Sequence, residues 1–497
     1  MRGTGTGTGW PKSNPSTVAA ETLSRQKAGA GFPSAAARHV TIRADTQPSG
    51  SETGLQRGGL KHPARLVPLA FLAMITLGTA LLMLPAATAG PASAPFLTAL
   101  FTATSAVCVT GLVVVDTPTY WSTFGQVVIM GMFQAGGFGI MTGATLLGLL
   151  VAGRLNLGTR LVAQAETKSG LGDVTSVIRV ALAATLVIEL MATAALALRL
   201  RVGYGLGWGD ALWHGAFQAV SAFNNAGFST WSDSLTRFAS DPVFIVPITL
   251  AVLIGGLGFP VMYELRRHPF AFAQWSLHSK ITVVGSAVLI AGGALGIAAY
   301  EWRNPETLGA LDLTGKWVST MFHAVAGRTS GFNTIDMGAT TVETQAINWA
   351  LMFIGGGSAS TAGGIRVTTF FLLGFAVWAE VSGNRDTVAF GRRIPAQSLR
   401  LALAVVLMAL TMLATGILGL LSVTEFALDD VIFEAISAGF TVGLSTGITA
   451  QMPPAGQAIL IAMMFVGRVG LVTVVTAIAL RTHRRLYRYP EERPIVG

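Results

Sequence analysis

From position 66 to 115 the chain carries no Asp, Glu, Lys or Arg, and the same holds for 117–153. A spanning helix takes about 20 apolar residues, so each of these runs holds more than one element. Taken along the whole chain, long apolar segments fall at 66–89, 124–152, 180–198, 243–263, 281–299, 345–379, 401–423 and 455–480. They are continuous rather than alternating, as helices in lipid are and barrel strands are not. The pattern predicts an all-α integral membrane protein with eight spanning helices.

The eight segments come in pairs, and between the members of each pair lies a repeated motif. The four copies read "FTATSAVCVTGL" from Phe101, "FQAVSAFNNAGF" from Phe217, "FHAVAGRTSGF" from Phe322 and "FEAISAGFTVGL" from Phe433. Each opens on Phe, passes through small residues and closes on a Gly followed by Leu or Phe. The closing glycines, Gly111, Gly227, Gly331 and Gly443, are 116, 104 and 112 residues apart. The third copy is one residue shorter between its Phe and its Gly. Even the second helices agree midway, as "AGGFGIM", "IGGLGFP", "IGGGSAS" and "VGRVGLV".

Each unit therefore reads as helix, half-helix, extended loop, helix, with half-helices at 95–107, 209–223, 314–326 and 429–439. These are too short to span, so each enters and leaves by the same face. Extended backbone at membrane depth is tolerated only where protein or a water-filled cavity surrounds it. The expected units are 63–153, 154–265, 266–380 and 381–480, arranged with pseudo-fourfold symmetry around a central pore. They are flanked by a disordered basic cytosolic tail at 1–62, too poor in apolar residues to fold, and a cytosolic C-terminal tail at 481–497.

Composition sharpens this. Hydrophobic residues make up 52% of the chain and charged residues 11%, against about 25% charged in a soluble domain. The net charge of +9 sits largely in the N-terminal tail and the connections between units: Arg154, Arg160, Lys168 and Arg179, then Arg266, Arg267 and Lys280, then Arg385, Arg392, Arg393 and Arg400, and finally Arg481, Arg484, Arg485 and Arg488. That distribution speaks for a positive-inside topology with both termini cytoplasmic, and against nucleic-acid binding. Acidic residues such as Asp116, Asp233, Glu301, Asp312 and Asp429 gather on the other side, an outer rim that attracts cations. The single cysteine, Cys108, excludes an intrachain disulfide and reads as a small apolar residue behind the loops.

The loops end in Val109-Thr110-Gly111, Asn225-Ala226-Gly227, Thr329-Ser330-Gly331 and Thr441-Val442-Gly443. Only Gly is common to all four. Backbone coordination of a cation requires just that, because carbonyls replace the hydration shell and Gly lets them turn inward. A lone Gly is more often a plain turn; four in register reverse the judgement. A second candidate is the run Gly355, Gly356, Gly357, Ser358, Ala359, Ser360, Thr361, Ala362, Gly363 and Gly364, which should break its helix. Arg468 lies inside the last span, where an arginine is costly and is read as functional by default. Glu189 reads as a structural partner for half-helix amides or another polar group, and His214 and His323 as structural. The paired glycines of the other second helices read as close-packing faces.

With "RTSGFNT" at 328–334 and "GGGSASTAGGIRVTTF" at 355–370, the sequence resembles the Trk/Ktr/HKT superfamily of potassium transporters over about 64–488. No apolar run precedes Leu66, which resembles the KtrB-type membrane subunit of the Ktr system more than TrkH, which begins with an extra helix pair. The resemblance implies potassium passage through the four loops. It makes 355–364 an intramembrane gate and places Arg468 at the pore constriction. It further implies a homodimer seated on a cytosolic ring of nucleotide-binding RCK-type subunits (KtrA/TrkA-like), so that nucleotide acts only through the partner, in the plasma membrane of a bacterium. Plant relatives selective for sodium carry Ser at the first filter Gly, where this chain has Gly111. Asn225 and Ala226 depart from a channel filter, so sodium or mixed conduction is the alternative within the class. An organic-solute secondary transporter is disfavoured, since inverted repeats are expected there and these units run parallel. An intramembrane enzyme is disfavoured too, because the spans hold no H-E-x-x-H motif and no paired carboxylates.

Overall fold

The computed structural model describes residues 63–152, 174–269, 271–470 and 492. The expected tail at 1–62, Arg154, Arg160 and Lys168 of the first connection, and the four arginines of the C-terminal tail lie outside them. The elements are α1 (Pro63–Leu82), α2 (Phe96–Val107), α3 (Thr117–Tyr120), α4 (Thr123–Ala152), α5 (Val174–Tyr204), α6 (Trp208–Asn224), α7 (Pro242–Leu257) and α8 (Phe259–Arg267). There follow α9 (Leu277–Glu301), α10 (Leu313–Ala326), α11 (Val342–Phe353), α12 (Val367–Val381), α13 (Ala396–Val423), α14 (Leu428–Gly439) and α15 (Pro454–Phe465). The half-helices α2, α6, α10 and α14 fall within a residue or so of the expected bounds. One small antiparallel hairpin, Val388–Ala389 with Arg392–Arg393, interrupts the all-helical pattern. It lies between α12 and α13, where the chain turns through Phe390 and Gly391 at positive φ.

Local chemistry explains the starts. Asp312 accepts the Gly315 amide at 3.0 Å and Thr341 the Thr344 amide at 3.3 Å. Ser276 and Asp241 cap α9 and α7 in the same way, each satisfying donors that a helix leaves free. The phenylalanine that opens each motif, Phe101, Phe217, Phe322 or Phe433, is completely buried and anchors its half-helix in the core. The outward faces behave oppositely: Leu190, Leu295 and Leu418 are 66%, 74% and 68% exposed. Apolar side chains displayed on this scale along long helices are the mark of a surface meant for lipid.

The packing order is cyclic. Half-helix α6 packs on α4 of the preceding unit, α10 on α7, α14 on α11, and α2 on α15 of the last unit.

Where eight spans are expected, three helices are long and apolar enough to cross a bilayer among the described residues: Ala181–Tyr204, Leu277–Glu301 and Ala396–Val423. A fourth segment is Pro242–Leu257 with Phe259–Arg267, bent by 103°. The second helices of the last three units are broken. Gly258 adopts φ 90° ahead of Pro260, and this bend is seated against the next unit: the Phe259 amide donates to the Ala359 carbonyl at 3.4 Å. In the third unit α11 and α12 are separated by 354–366. In the fourth, α15 passes into a π-helical turn at Val466–Gly470. The packing-face expectation for the paired glycines fits Gly136 in α4 and Gly255 in α7, each in close contact with a half-helix carbonyl; the second unit's helix breaks only beyond its pair, at Gly258.

Candidate functional site

Each half-helix ends in a loop whose backbone turns sharply. Val109, Asn225 and Thr441 sit at φ 57°, 59° and 52°, and Gly111, Gly227, Gly331 and Gly443 at 93°, 73°, 67° and 98°. Thr329 does not share the left-handed turn of its counterparts, as befits a copy one residue shorter. The glycines stand edge to edge with their neighbours. A Cβ on Gly227 would lie 2.6 Å from the Ser330 carbonyl oxygen, and one on Gly331 would lie 2.7 Å from that of Val442. One on Gly443 would strike the Thr110 carbonyl, and one on Gly111 the Ala226 carbonyl. The first loop thus meets the second, the second the third, the third the fourth, and the fourth the first. Eight of the twelve residues singled out by sequence make these contacts: the four glycines and Thr110, Ala226, Ser330 and Val442, whose carbonyls they meet.

Side chains behind the ring hold it. The hydroxyls of Ser105 and Ser437 accept the Gly111 and Gly443 amides at 3.1 and 3.0 Å. The Ser105 and Ser221 hydroxyls donate to the Leu112 and Phe228 carbonyls at 2.7 and 2.8 Å. The third copy has Ala326 at this position. One residue after the anchoring Phe, Gln218 donates to Ser229 at 2.7 Å. His323 accepts the Thr334 amide at 3.3 Å, and Glu434 accepts from Ser445 and from Thr449. Apart from His323, which reads as structural, sequence reasoning missed these props, although the recurring Ser four residues after the Phe was a readable signal.

The 355–364 segment lies against the carbonyl ends of two half-helices. The Thr361 hydroxyl donates to the Phe223 carbonyl at 3.1 Å, and a Cβ on Gly363 would meet the Phe440 carbonyl and the Thr441 hydroxyl. Three arginines grip its backbone. Arg468, 3% exposed, donates to the Thr361 carbonyl at 2.6 Å. Arg328 donates to the Gly355 carbonyl at 2.7 Å. Arg366 reaches the Ala362 and Gly357 carbonyls at 2.7 and 3.1 Å and the Ser360 hydroxyl at 3.2 Å. Ser358 pairs with Thr368 at 3.0 Å, the Gly357 amide donates to the Gly256 carbonyl at 2.8 Å, and Gly364 turns at φ 75°. Arg328 and Arg366 were legible only as parts of a motif, with no role attached. The Nε and Nη1 of Arg468 have no protein acceptor among the described residues.

The midway repeat of the second helices now gains a meaning. Gly136, Gly255 and Gly467 each sit where a Cβ would strike the Val107, Phe223 or Gly439 carbonyl, near the end of the unit's own half-helix. One residue on, three units carry Gly137, Gly256 and Gly356, and the fourth carries Arg468. Elsewhere the structural readings stand. Glu189 accepts from Gln134 and Asn224, both at 3.3 Å, His214 pairs with Thr230 at 2.7 Å, and Cys108 is buried.

Residues 54–485 match the TrkH family of cation transport proteins. Potassium uptake protein B of the Ktr system of Bacillus subtilis is 39% identical over 436 residues, covering 88% of this chain and 97% of that protein. The potassium/sodium uptake protein NtpJ of Enterococcus hirae is 33% identical, again over 88% of this chain and 97% of its own. The crystal structure of the potassium transporter TrkH from Vibrio parahaemolyticus has a TM-score of 0.65 over 86% of each chain at 18% identity, a likeness of fold. An apolar helical exterior, the family match and long, well-covered relatives agree: the chain belongs to the TrkH family of cation transport proteins, and it is a membrane transporter rather than an enzyme.

Proposed function

We propose that the chain takes potassium into a bacterium across its plasma membrane, through a central pore at the junction of four helix–half-helix–helix units. The units follow the bounds 63–153, 154–265, 266–380 and 381–480, and their eight spanning segments include several broken ones. The twelve loop residues form the selectivity filter. The single observation that carries this reading is the cyclic contact of Gly111, Gly227, Gly331 and Gly443 with the carbonyl before the next loop's glycine. A ring closed by backbone alone can offer oxygen ligands from four sides in place of water. The negative ends of the half-helices favour a cation in the cavity beneath.

The 355–364 segment is the gate. It occupies two of those carbonyl ends, at Phe223 and Phe440, and is held there by Arg328, Arg366 and Arg468. A buried guanidinium beside the pathway repels a cation until the segment moves. Both termini face the cytoplasm. The exposed arginines Arg266, Arg267, Arg385, Arg392 and Arg393 lie on that face, which in the homodimer would meet a cytosolic nucleotide-binding RCK-type ring. Nucleotide acts through that partner, and potassium is the transported ion.

A second reading, mixed sodium and potassium conduction, draws on Asn225 and Ala226 in the second loop and on the potassium/sodium relative from Enterococcus hirae. Rubidium and sodium uptake by bacterial cells stripped of their own potassium uptake, with and without this chain, tests both. Rubidium uptake and growth at low potassium support the proposal. Equal sodium uptake supports the second reading. Cells that take up neither ion faster than the parent strain speak against both.

A further inference from the structure

The side chain of Asn225 stands between three parts of the molecule. Its Oδ1 accepts from Thr329 Oγ1 of the third loop at 2.8 Å. Its Nδ2 donates to Thr361 Oγ1 of the 355–364 segment at 2.9 Å, and that hydroxyl in turn donates to the Phe223 carbonyl at 3.1 Å. Asn225, Thr329 and Thr361 are 0%, 4% and 1% exposed, so no solvent is at hand to replace a lost partner. The remaining acceptors within reach of Nδ2 are the Phe223 and Val252 carbonyls, both at 3.4 Å. The counterparts of Asn225 lack such a link: Val109 is apolar, and the Thr441 hydroxyl has no hydrogen-bond partner among the described residues.

We propose that Asn225 ties the shape of the four-loop ring to the position of the 355–364 segment, so that preference among cations changes as the segment moves. The inference rests on the filter and gate reading above and assigns Asn225 as a positioning residue. When the segment leaves, Nδ2 loses its 2.9 Å acceptor and a buried donor does not stay unpaired. The amide turns toward the Phe223 or Val252 carbonyl. Because the amide is planar, Oδ1 turns with it and the Thr329 hydroxyl must follow or break away. Ala226 and Ser330, next in each loop, supply two of the four carbonyls at the ring's contacts. A residue that looks like a poor filter member from its type is thus the link through which the second and third loops sense the gate.

The test is cation binding to the full-length protein in detergent, read as the rise in unfolding temperature with KCl or NaCl in a choline background. This readout needs no open gate. Thr361→Val removes the bridging hydroxyl and Thr329→Val removes the donor at the other end. Each is expected to lower the ratio of potassium to sodium affinity at least threefold, and the double variant no further than the stronger single. Thr361→Ser keeps the hydroxyl and is expected to keep the wild-type ratio, which a merely structural loss of packing would not predict. Unchanged ratios in both valine variants, with potassium still stabilising, overturn the proposal. Gly443→Asp separates the layers. If potassium stabilises that variant as it does the wild type, the filter reading itself fails. If Gly443→Asp abolishes stabilisation while the valine variants keep the wild-type ratio, only the coupling falls.

Discussion

Replacing Gly227 by Ala puts the ring's closure to a quantitative test. Gly227 sits at φ 73°, and a Cβ there would lie 2.6 Å from the Ser330 carbonyl oxygen and 3.0 Å from the Gly331 Cα. The left-handed backbone alone costs an L-residue about 1–2 kcal/mol. The second and third loops must also part, because both nearby atoms are backbone and neither can swing away as a side-chain end would. A total near 3 kcal/mol is a reasonable sum, and each 1.4 kcal/mol is roughly tenfold in a population. Rubidium flux in proteoliposomes should therefore fall at least about tenfold, with a loss of rubidium over sodium preference. The control is Gly292→Ala in α9, where an added Cβ meets nothing within 4 Å. It should conduct as wild type and gain up to about 1 kcal/mol of helix stability. Flux and ion preference in Gly227→Ala within twofold of wild type, in a protein that unfolds at the wild-type temperature, would refute the reasoning.

The props and the gate give further expectations. Arg468→Ala releases the Thr361 carbonyl and should raise potassium flux several-fold, measured without any partner subunit. Ser437→Ala leaves the Gly443 amide buried and unpaired, a cost of about 1–3 kcal/mol, visible as a lower unfolding temperature and weaker ion preference. Glu189→Ala removes the acceptor of the Gln134 amide and one of three acceptors of the Asn224 amide and should destabilise by about 1 kcal/mol in the same assay. At the start of α10, the Ser240 hydroxyl and the Gly315 amide hold the Asp312 carboxylate below the usual carboxylate range. The folded state then binds that proton less tightly than the unfolded state. Its stabilisation is full above the unfolded value, about 4, and is lost as pH falls through the lower folded value. Asp312→Asn should flatten that acid limb of the unfolding curve.

Much of this was legible because repetition is a strong signal. The half-helix bounds came within a residue or two, since a Phe anchor and a closing Gly bracket each one. The four loops were readable as one repeat because a glycine closes each of them. What was hidden depends on contacts between units. Pro260 in "IGGLGFP" marks a candidate helix boundary that "AGGFGIM" lacks, but nothing there tells how sharply the chain bends at Gly258 while Gly139 stays within its helix. Against Gly258 lie Ser358 and Ala359 of the 355–364 segment, which comes from a different unit. The roles of Arg328 and Arg366 were hidden for a related reason, because their acceptors are backbone carbonyls that no sequence pattern marks. Asn225 read as a departure from a filter, when its amide answers a threonine on each side.

The most direct test of the central claim is cation flux in liposomes holding the purified protein, comparing potassium, rubidium, sodium and lithium, with Gly443→Asp alongside. A Cβ at Gly443 meets the Thr110 carbonyl, so a carboxylate there enters the seam where the fourth loop closes on the first. The account predicts flux that favours potassium and rubidium and that vanishes in the variant. Flux that persists unchanged in Gly443→Asp would contradict it, because ions would then be crossing by a route that does not pass through the ring.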